Sequence, residues 1–366
     1  MASNENANNE YYDKVVSGRA WAEFCDTLKA AGDLVQDRAT CDLDRIEGYR
    51  FLSRLARGGL YSSIETGDVR FPVLTAIPDQ VKIGSDNPDS LYVSGNIDGR
   101  LNYRLWGHRG TVHYLSFTAF TGNYGRGQER LGQAGFLHGG DLILDGDGHF
   151  EIFVGPERRD GNWLRTDPEP TVVAIRQFFL DRDDEMPVSV QIECLDHDDL
   201  PPPLSAERFG RALESAAAFV AGVSTVFTGW VDELAIKARN ALTLDVGPMQ
   251  GAWGDPNQIF RHGTYDLGEG EALLIEFTPP ECFYWNFQVD NRWMESLDYR
   301  RLPVTVNKRT ARYEPDGSVR IVVAAADPGF GNWMSTDGHR FGAIGLRWNQ
   351  ATEDVEPEVR VVATNR

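Results

Sequence analysis

The chain has 366 residues and a net charge of −19, with 41% hydrophobic and 25% charged residues. This length exceeds one ordinary hydrophobic core, so two packed units are expected, and the hydrophobic fraction excludes a disordered chain. The acidic charge, without any basic stripe, argues against a nucleic-acid partner. The chain shows no run of about 18 apolar residues and no secretion-signal pattern, so we expect a cytoplasmic protein without a membrane partner.

The cysteines and histidines give no sign of a metal centre. The four cysteines lie far apart and form no CxxC or Cys/His ligand spacing, so free or buried thiols are expected rather than disulfides or a zinc site. The small histidine cluster at 108–138 contains no HxH, HxD or HExxH pattern. We therefore expect no metal and no cofactor.

Two amphipathic helices come first in the chain. Apolar residues at helical intervals predict a helix over about 11–32 and a second over 42–59, which Gly58 and Gly59 are expected to end. The predicted apolar stripe of the second helix consists of Ile46, Tyr49, Leu52 and Leu55.

Strand patterns and one long helix follow. Alternating, aromatic-rich segments punctuated by glycine predict strands from about 68 to 196, and similar segments return after about 245. Between them, a continuous apolar stripe predicts a long helix with Ser205 as its N-cap. These patterns divide the chain into a helical segment (1–66), a first β-sandwich unit (67–200), a linker with the long helix (201–244) and a second β-sandwich unit (245–366).

A seven-residue phrase occurs twice, as GNWLRTD at 161–167 and GNWMSTD at 331–337. Placing Asn162 on Asn332 also brings 113–120 onto 283–290, 147–154 onto 316–323 and 172–179 onto 341–348. Four matched blocks in one order indicate an internal duplication. Because sequential strands joined by tight turns pair antiparallel, the predicted fold is β-rich α+β, with two related antiparallel, jelly-roll-like sandwiches plus the helices.

The second copy contains GTYDLGEGEALLIEF at 263–277, followed by NW at 332–333, DGH at 337–339 and RW at 347–348. In this series it resembles the bacterial family known as domain of unknown function 1214. The earlier stretches at 47–60 and 87–110 resemble segments that often precede that family. The resemblance implies a β-sandwich-like domain with helical additions, and it implies no reaction. The first copy departs from the pattern because it has no DGH.

His339 is the residue in this series best suited to proton transfer near neutral pH. Asp337, two residues earlier, could orient it, and Tyr284, Glu295 and Asp298 could add a phenol and carboxyl groups. The alternative is that His339 is a structural or exposed loop histidine.

Strand alternation sends Tyr284 and Asn286 to one face and Trp285 and Phe287 to the other. Substrate contacts are assigned to Arg347, Trp285, Asn286, Trp293, Asn332 and Trp333. Each assignment has a structural alternative. The aromatic residues could form ordinary core, Arg347 could hold an internal carboxylate, and the Asn332–Trp333 phrase could be a corner that recurs because the fold recurs.

Two functions from different classes follow from these residues. The first is a cofactor-independent acid/base enzyme, a lyase rather than a hydrolase, acting on a small, partly apolar, aromatic or hydroxylated metabolite. In it His339 is the base, Asp337 its orienter, Tyr284 a proton donor and Arg347 an anchor for substrate oxygen. The second is a non-catalytic carbohydrate- or lipid-binding sandwich. A homodimer is a further expectation, and no sequence feature locates its interface.

Overall fold

A computed structural model of the chain describes residues 10–77, 81–124, 131–197, 200–244 and 253–364. The chain divides into two compact units, each assembled from separate stretches. The first unit comprises residues 1–37, 52–81 and 90–224, and the second comprises 38–51, 82–89 and 225–366. The ends of the predicted helical segment at 1–9 and of the predicted second sandwich at 245–252 lie outside the described residues.

Three long helices lie where the apolar periodicity predicts helix, but the first predicted helix (11–32) is interrupted by a turn at residues 17–18, where Gly18 has a φ of +78°, and its second part extends to Arg38. Their bounds are α1 (Arg19–Arg38), α2 (Asp42–Leu60) and α3 (Ala206–Lys237), and a π-helix at Tyr61–Glu65 continues α2. Ser205 caps α3, because its hydroxyl accepts a hydrogen bond from the backbone N–H of Arg208 at 3.1 Å. Both α2 and α3 contribute residues to each unit.

The prediction that Gly58 and Gly59 end the second helix is wrong, since α2 continues through both to Leu60. A Cβ atom at Gly59 would lie 3.1 Å from the carbonyl oxygen of Ala216 and 3.1 Å from the ring of Phe219, both on α3. Glycine at this position therefore permits close approach of two helices in the first unit.

The described residues of the first unit form nine strands in two sheets. They are β1 (Thr75–Ala76), β2 (Ser90–Asp98), β3 (Tyr103–His108), β4 (Tyr114–Thr121), β5 (Gly132–His138), β6 (His149–Gly155), β7 (Asn162–Arg165), β8 (Pro170–Phe178) and β9 (Ser189–Cys194). One sheet has the order β1-β2-β8-β4-β5, and the other has the order β7-β6-β3-β9.

The second unit repeats this arrangement. Its strands are β10 (Thr243–Leu244), β11 (Gln258–Asp266), β12 (Glu271–Phe277), β13 (Tyr284–Val289), β14 (Thr305–Asn307), β15 (Val319–Ala324), β16 (Asn332–Ser335), β17 (Phe341–Asn349) and β18 (Glu358–Ala363). The sheet orders are β10-β11-β17-β13-β14 and β16-β15-β12-β18. The fold is therefore β-rich α+β with two similar pairs of sheets, as an internal duplication predicts.

Each pair of sheets encloses one apolar core. In the second unit, Phe287 and Leu346 of one sheet pack with Ile275 and Ile321 of the other. Most neighbouring strands pair antiparallel, as expected. Two pairs, β6 with β7 and β15 with β16, are parallel instead. The same exception in both units supports the repeat. So does the strand register, in which Arg176 pairs with Ser116 and Arg347 pairs with Asn286.

The repeated phrase has the same bonds in both units. In the first, the side chain of Asn162 accepts a hydrogen bond from the N–H of Ile143 at 2.8 Å. It donates to the carbonyls of Ile143 and Glu151 at 2.9 and 3.0 Å. The indole of Trp163 donates to the carbonyl of Gly155 at 3.1 Å.

In the second unit, Asn332 accepts from the N–H of Arg312 at 2.7 Å and donates to the carbonyls of Arg312 and Arg320 at 3.0 and 2.9 Å. The indole of Trp333 donates to the carbonyl of Ala324 at 3.0 Å. These bonds satisfy backbone groups at the edge of each sandwich. They support the interpretation of the phrase as a structural corner over the assignment of Asn332 and Trp333 to substrate.

By length and composition alone, α3 is apolar enough to cross a membrane, and 44% of its most apolar window is buried. The helix contains no uninterrupted run of 18 apolar residues, because Ser, Thr and Gly residues interrupt it. A core helix of a soluble protein passes the same test, so this finding, which concerns the described residues only, is weak evidence for a membrane span.

Burial of the two tryptophans predicts different stability losses. Trp285 is fully buried in the core, whereas Trp333 is half-buried. Trp285→Ala should lower the free energy of unfolding by about 3–5 kcal/mol. Trp333→Ala should cost less, because its ring leaves a smaller cavity. Urea unfolding followed by circular dichroism measures both, and an equal or larger loss for Trp333→Ala would contradict the structure.

Candidate functional site

The buried polar groups of the second unit concentrate on one face of the sheet that contains β11, β13 and β17. As the alternation predicts, Trp285 and Phe287 point into the core between the sheets. The side chains on the opposite side, together with the arginine of the neighbouring strand, form the face called the polar face below. Its members are Tyr284, Asn286, Gln288, Asp290 and Arg347, all of them buried.

Residues 82–89, called the cover segment, lie across the polar face. The amide of Gln288 donates to the hydroxyl of Ser85 at 3.2 Å and to the carbonyl of Asp86 at 3.0 Å. The amide of Asn286 donates to Asn87 at 3.0 Å. The polar face is thus bonded to a segment of the chain about 200 positions away.

Two further contacts hold the ends of the cover segment. The phenol of Tyr284 donates to the carboxylate of Asp89 at 2.8 Å. The ammonium of Lys82 donates to the hydroxyl of Ser296 at 2.8 Å and to the carbonyl of Leu297 at 2.9 Å.

Arg347 lies at the centre of this network. Its guanidinium donates to the side-chain oxygens of Gln288 and Asn286 and to both the carbonyl and the hydroxyl of Ser85. A buried guanidinium requires such acceptors, because an unpaired charge away from water is very costly. The hydrogen bonds of Arg347 are made to neutral groups of the chain, not to the internal carboxylate that the structural alternative expects.

Asp290 supplies a carboxyl group beside this guanidinium. Burial raises the pKa of Asp290, hydrogen bonds from Ser85 and Gln288 oppose the increase, and the charge of Asp86 adds to it, so that the pKa is about 6. Gln288 donates to Oδ1 of Asp290 at 2.6 Å, and Oδ2 has no hydrogen-bond partner among the described residues. The carboxyl is thus able to exchange a proton close to neutral pH.

His339 is buried and lies between two carboxylates, Glu47 and Asp44. Its Nε2 atom is 3.0 Å from Glu47, and its Nδ1 atom is 3.9 Å from Asp44. Burial alone would lower the pKa of His339, but the interactions with the carboxylates of Asp44 and Glu47 outweigh it and raise the pKa to about 9. His339, Asp44 and Glu47, called the clamp below, therefore contain an imidazolium at neutral pH.

The clamp carboxylates respond in the opposite direction. Burial would raise the pKa of Asp44, but the nearby imidazole of His339 and hydrogen bonds from Thr40 lower it to about 2. Burial would likewise raise the pKa of Glu47, but His339 and Arg50 outweigh burial and lower it. Both groups are therefore anionic beside the imidazolium.

In the first half of α2, the predicted apolar face is exposed and the opposite face is buried. Ile46 and Tyr49 are 68% and 45% exposed, whereas Asp44 and Glu47 are buried. Their spacing of three residues places both acids on the same helix face. The predicted burial of Ile46 and Tyr49 is wrong, because charge pairing with His339 determines which face of the helix turns inward.

The clamp also holds the turn that follows Asp290. Glu47 accepts a hydrogen bond from the amide of Asn291 at 2.9 Å, and the same amide donates to Glu295 at 3.0 Å. The indole of Trp293 donates to the carbonyl of Asp44 at 2.9 Å. The clamp thus anchors α2 to residues 291–295.

The remaining predicted site residues lie apart from this arrangement. Asp337 is exposed at a φ of +50°, so the carboxylates beside His339 come from α2 and not from Asp337. Asp298 pairs with Arg300 at 2.8 Å and is partly exposed. Tyr284 lies on the polar face but six residues from Asp290, which is about 20 Å of extended strand.

Several of these residues were missed in the sequence. Asp290 follows β13 in the same alternation as Tyr284 and Asn286, so the period of two could have identified it. Asp44 and Glu47 had a weaker signal, namely two acids three residues apart in an amphipathic helix. No local pattern distinguishes Ser85.

The clamp is unsuited to a metal ion, because a protonated imidazole has no lone pair to offer. Among the residues that the structure describes, no group of three or more His, Cys, Asp or Glu residues could hold one.

Comparison with known proteins agrees with the resemblance seen in the sequence. Residues 270–350 match a family described as a protein of unknown function (DUF1214). An uncharacterized protein from Burkholderia cenocepacia is 41% identical, with a TM-score of 0.92 over 96% of this chain and 98% of that one. The chain belongs to this family.

A second solved structure is much less similar to the chain. A protein from Vibrio parahaemolyticus is 14% identical, with a TM-score of 0.47 over 86% of this chain and 98% of that one, and this likeness carries no argument. No curated protein matches the chain.

The clamp predicts how stability depends on pH. The pKa of His339 is about 9 in the folded chain and 6.5 in the unfolded chain. The stability that protonated His339 contributes is therefore complete below pH 6.5 and is lost as pH rises through 9. Wild-type unfolding free energy should therefore fall over this range by up to about 3 kcal/mol more than that of His339→Gln. Urea unfolding at a series of pH values measures the difference.

The exposed His149 provides the matched control. His149→Gln should retain the full wild-type pH dependence. If His339→Gln also retains it, the imidazolium clamp does not exist in solution.

Proposed function

We propose that this chain is a cofactor-independent acid/base enzyme, a lyase or hydrolase, that acts on a small, partly apolar, aromatic or hydroxylated metabolite at the polar face. One observation carries the proposal. Asp290, a fully buried carboxyl with a pKa of about 6, lies in the same hydrogen-bonded network as the buried guanidinium of Arg347. Perturbed carboxyls of this kind are concentrated at catalytic sites.

Asp290 would act as the general base, because its pKa lies near neutral pH, where proton transfer is most efficient. Arg347 would bind a substrate oxygen. In a lyase reaction Asp290 takes a proton from the carbon beside a carbonyl that Arg347 polarises. The electron pair left behind forms a carbon–carbon double bond as the leaving group departs. In hydrolysis the proton comes from water instead.

This assignment moves the role of base from His339 to Asp290. An imidazolium with a pKa of about 9 has no free site for another proton at neutral pH. Burial keeps the pKa of Tyr284 well above the usual value, so its phenol stays protonated and is suited to donating a hydrogen bond rather than to transferring a proton. Because Tyr284 lies about 20 Å from Asp290 along β13, it could contact only the part of a substrate that lies farthest from Asp290.

Substrate reaches the polar face only when the cover segment moves. Gly84 and Ser85 have φ values of +62° and +59°. Adjacent residues in this uncommon region are suited to a segment that changes conformation, since strained backbone is frequent in active-site and switch regions.

The alternative of a carbohydrate- or lipid-binding sandwich has less support. Sugar-binding surfaces need exposed aromatic rings for stacking, and the residues assigned to that role, Trp285 and Trp293, are buried. We further propose a small-molecule substrate in the cytoplasm, with no nucleic-acid or membrane partner. A net charge of −19 and four free cysteines support this setting.

Replacement of Asp290 tests the proposal. Asp290→Asn keeps the shape of the side chain and removes the base, so turnover should fall by roughly 100-fold or more. The assay follows depletion of small hydroxylated and aromatic carbonyl compounds by mass spectrometry. Asp160→Asn changes an exposed aspartate of the first unit and should retain wild-type turnover. Unchanged turnover in Asp290→Asn would refute the role of Asp290 as general base. Binding of compounds that the wild type never converts would refute the proposal that the chain is an enzyme.

The same variant should be more stable than the wild type above pH 6. The pKa of Asp290 rises from 3.8 to about 6 on folding, so stability is highest below 3.8 and is lost as pH rises through 6. Asparagine cannot ionise, and the variant should gain up to about 3 kcal/mol at neutral pH. Urea unfolding at pH values on both sides of 6 measures this gain. A loss of stability would assign Asp290 a structural role.

A further inference from the structure

We propose that Ser85 is a nucleophile of the polar face and that the site forms a covalent acyl-enzyme with carboxylic esters. The inference rests on the proposed function, because it uses Asp290 as the base that accepts the serine proton. It adds a substrate class and a covalent step.

The backbone of Ser85 is held in a conformation that non-glycine residues rarely adopt. Its φ is +59°, and its N–H donates to the carbonyl of Met294 at 2.6 Å. Met294 itself has a φ of +58°. Only glycine fits at the preceding position 84, since a Cβ atom there would lie 2.4 Å from the ring of Phe227. Strain that the surroundings maintain in this way is frequent at catalytic residues.

The hydroxyl of Ser85 has the neighbours that a nucleophile requires. The Asp290 carboxyl, the base assigned above, is near enough for Ser85 to lower its pKa. The hydroxyl accepts hydrogen bonds from Arg347 at 3.0 Å and from Gln288 at 3.2 Å. The same amide nitrogen of Gln288 also donates to Oδ1 of Asp290 at 2.6 Å. The Ser85 hydroxyl and the Asp290 carboxyl therefore accept hydrogen bonds from one shared donor. A base that takes the proton and donors that stabilise the developing alkoxide together activate a serine.

Gly345 provides space beside this hydroxyl. A Cβ atom at Gly345 would lie 3.3 Å from Oγ of Ser85 and 3.4 Å from Nε2 of His262. Any larger residue would press on the oxygen that attacks. Glycine at the centre of β17 therefore leaves room for the Ser85 hydroxyl to lie directly against the sheet.

The step balances without a cofactor. The proton of the Ser85 hydroxyl moves to Asp290, and the oxygen forms a bond to the ester carbonyl carbon. The bond from that carbon to the alcohol oxygen then breaks, and the alcohol leaves with the proton from Asp290. Water repeats the sequence on the acyl-enzyme, releasing the acid and restoring Ser85.

A small phosphonofluoridate tests this chemistry without knowledge of the natural substrate. Attack by Ser85 forms an oxygen–phosphorus bond and expels fluoride, leaving a stable adduct that peptide mass spectrometry locates. The wild-type chain should be labelled once, at Ser85. Asp290→Asn should slow labelling at least tenfold, and Ser318→Ala, a change in a surface turn, should label as the wild type does.

Two variants of Ser85 distinguish loss of the nucleophile from loss of folding. Ser85→Ala and Ser85→Gly should both be unlabelled. Ser85→Gly also relieves the positive φ, which offsets part of the loss of the hydroxyl's hydrogen bonds, and Ser85→Gly should therefore melt at a higher temperature than Ser85→Ala. Three results would overturn the assignment of Ser85 as the nucleophile. They are labelling that persists in Ser85→Gly, an adduct on another residue, and no adduct at all in the folded wild type.

Turnover measurements separate this proposal from the one on which it rests. If Ser85→Gly retains the turnover that Asp290→Asn loses, the acid/base enzyme stands and only the covalent step fails. If Asp290→Asn retains full turnover, the proposed function fails whatever the labelling result.

Discussion

The buried guanidinium of Arg347 is the constraint on which the polar face depends. A permanent positive charge inside a protein must be surrounded by oxygen acceptors, and the neighbouring strand supplies only Asn286 and Gln288. The carbonyl and hydroxyl of Ser85 complete the set, which draws residues 82–89 onto the sheet. The strained backbone of Ser85 and the enclosure of Asp290 both follow from satisfying this one cation.

Duplication explains why the arginine is there, and divergence explains why only one unit is assigned chemistry. Arg176 and Arg347 occupy equivalent register positions in the two units. On the matched strands, however, Thr118 and Phe120 stand where the second unit has Gln288 and Asp290. The first unit thus has the cation and lacks the carboxyl. The repeated Asn–Trp corner, by contrast, keeps the same bonds in both units, because it serves the fold.

The second unit contains two kinds of buried charge with opposite consequences. In the clamp, Glu47 and Asp44 share the charge of His339, so both partners favour the ionised form and the interaction anchors α2. Asp290 instead has an oxygen without a hydrogen-bond partner among the described residues, and burial keeps its proton affinity high. The first arrangement is what a structural tie requires. The second reduces stability near neutral pH, a feature that proteins retain mainly where a site uses it.

Periodicity alone determined the local structure of this chain, including helix α3, the two faces of β13 and the paired sandwiches. Each follows from contacts between residues near in sequence or from a pattern repeated along it. Only the tertiary structure determined that Asp44 and Glu47 enclose His339, and that Ser85 meets Arg347. Those partners are separated by more than 250 positions, and the free energy that selects them comes from desolvating charges. That term has no period in the sequence, and in the first half of α2 it overrode the apolar stripe that the sequence predicts.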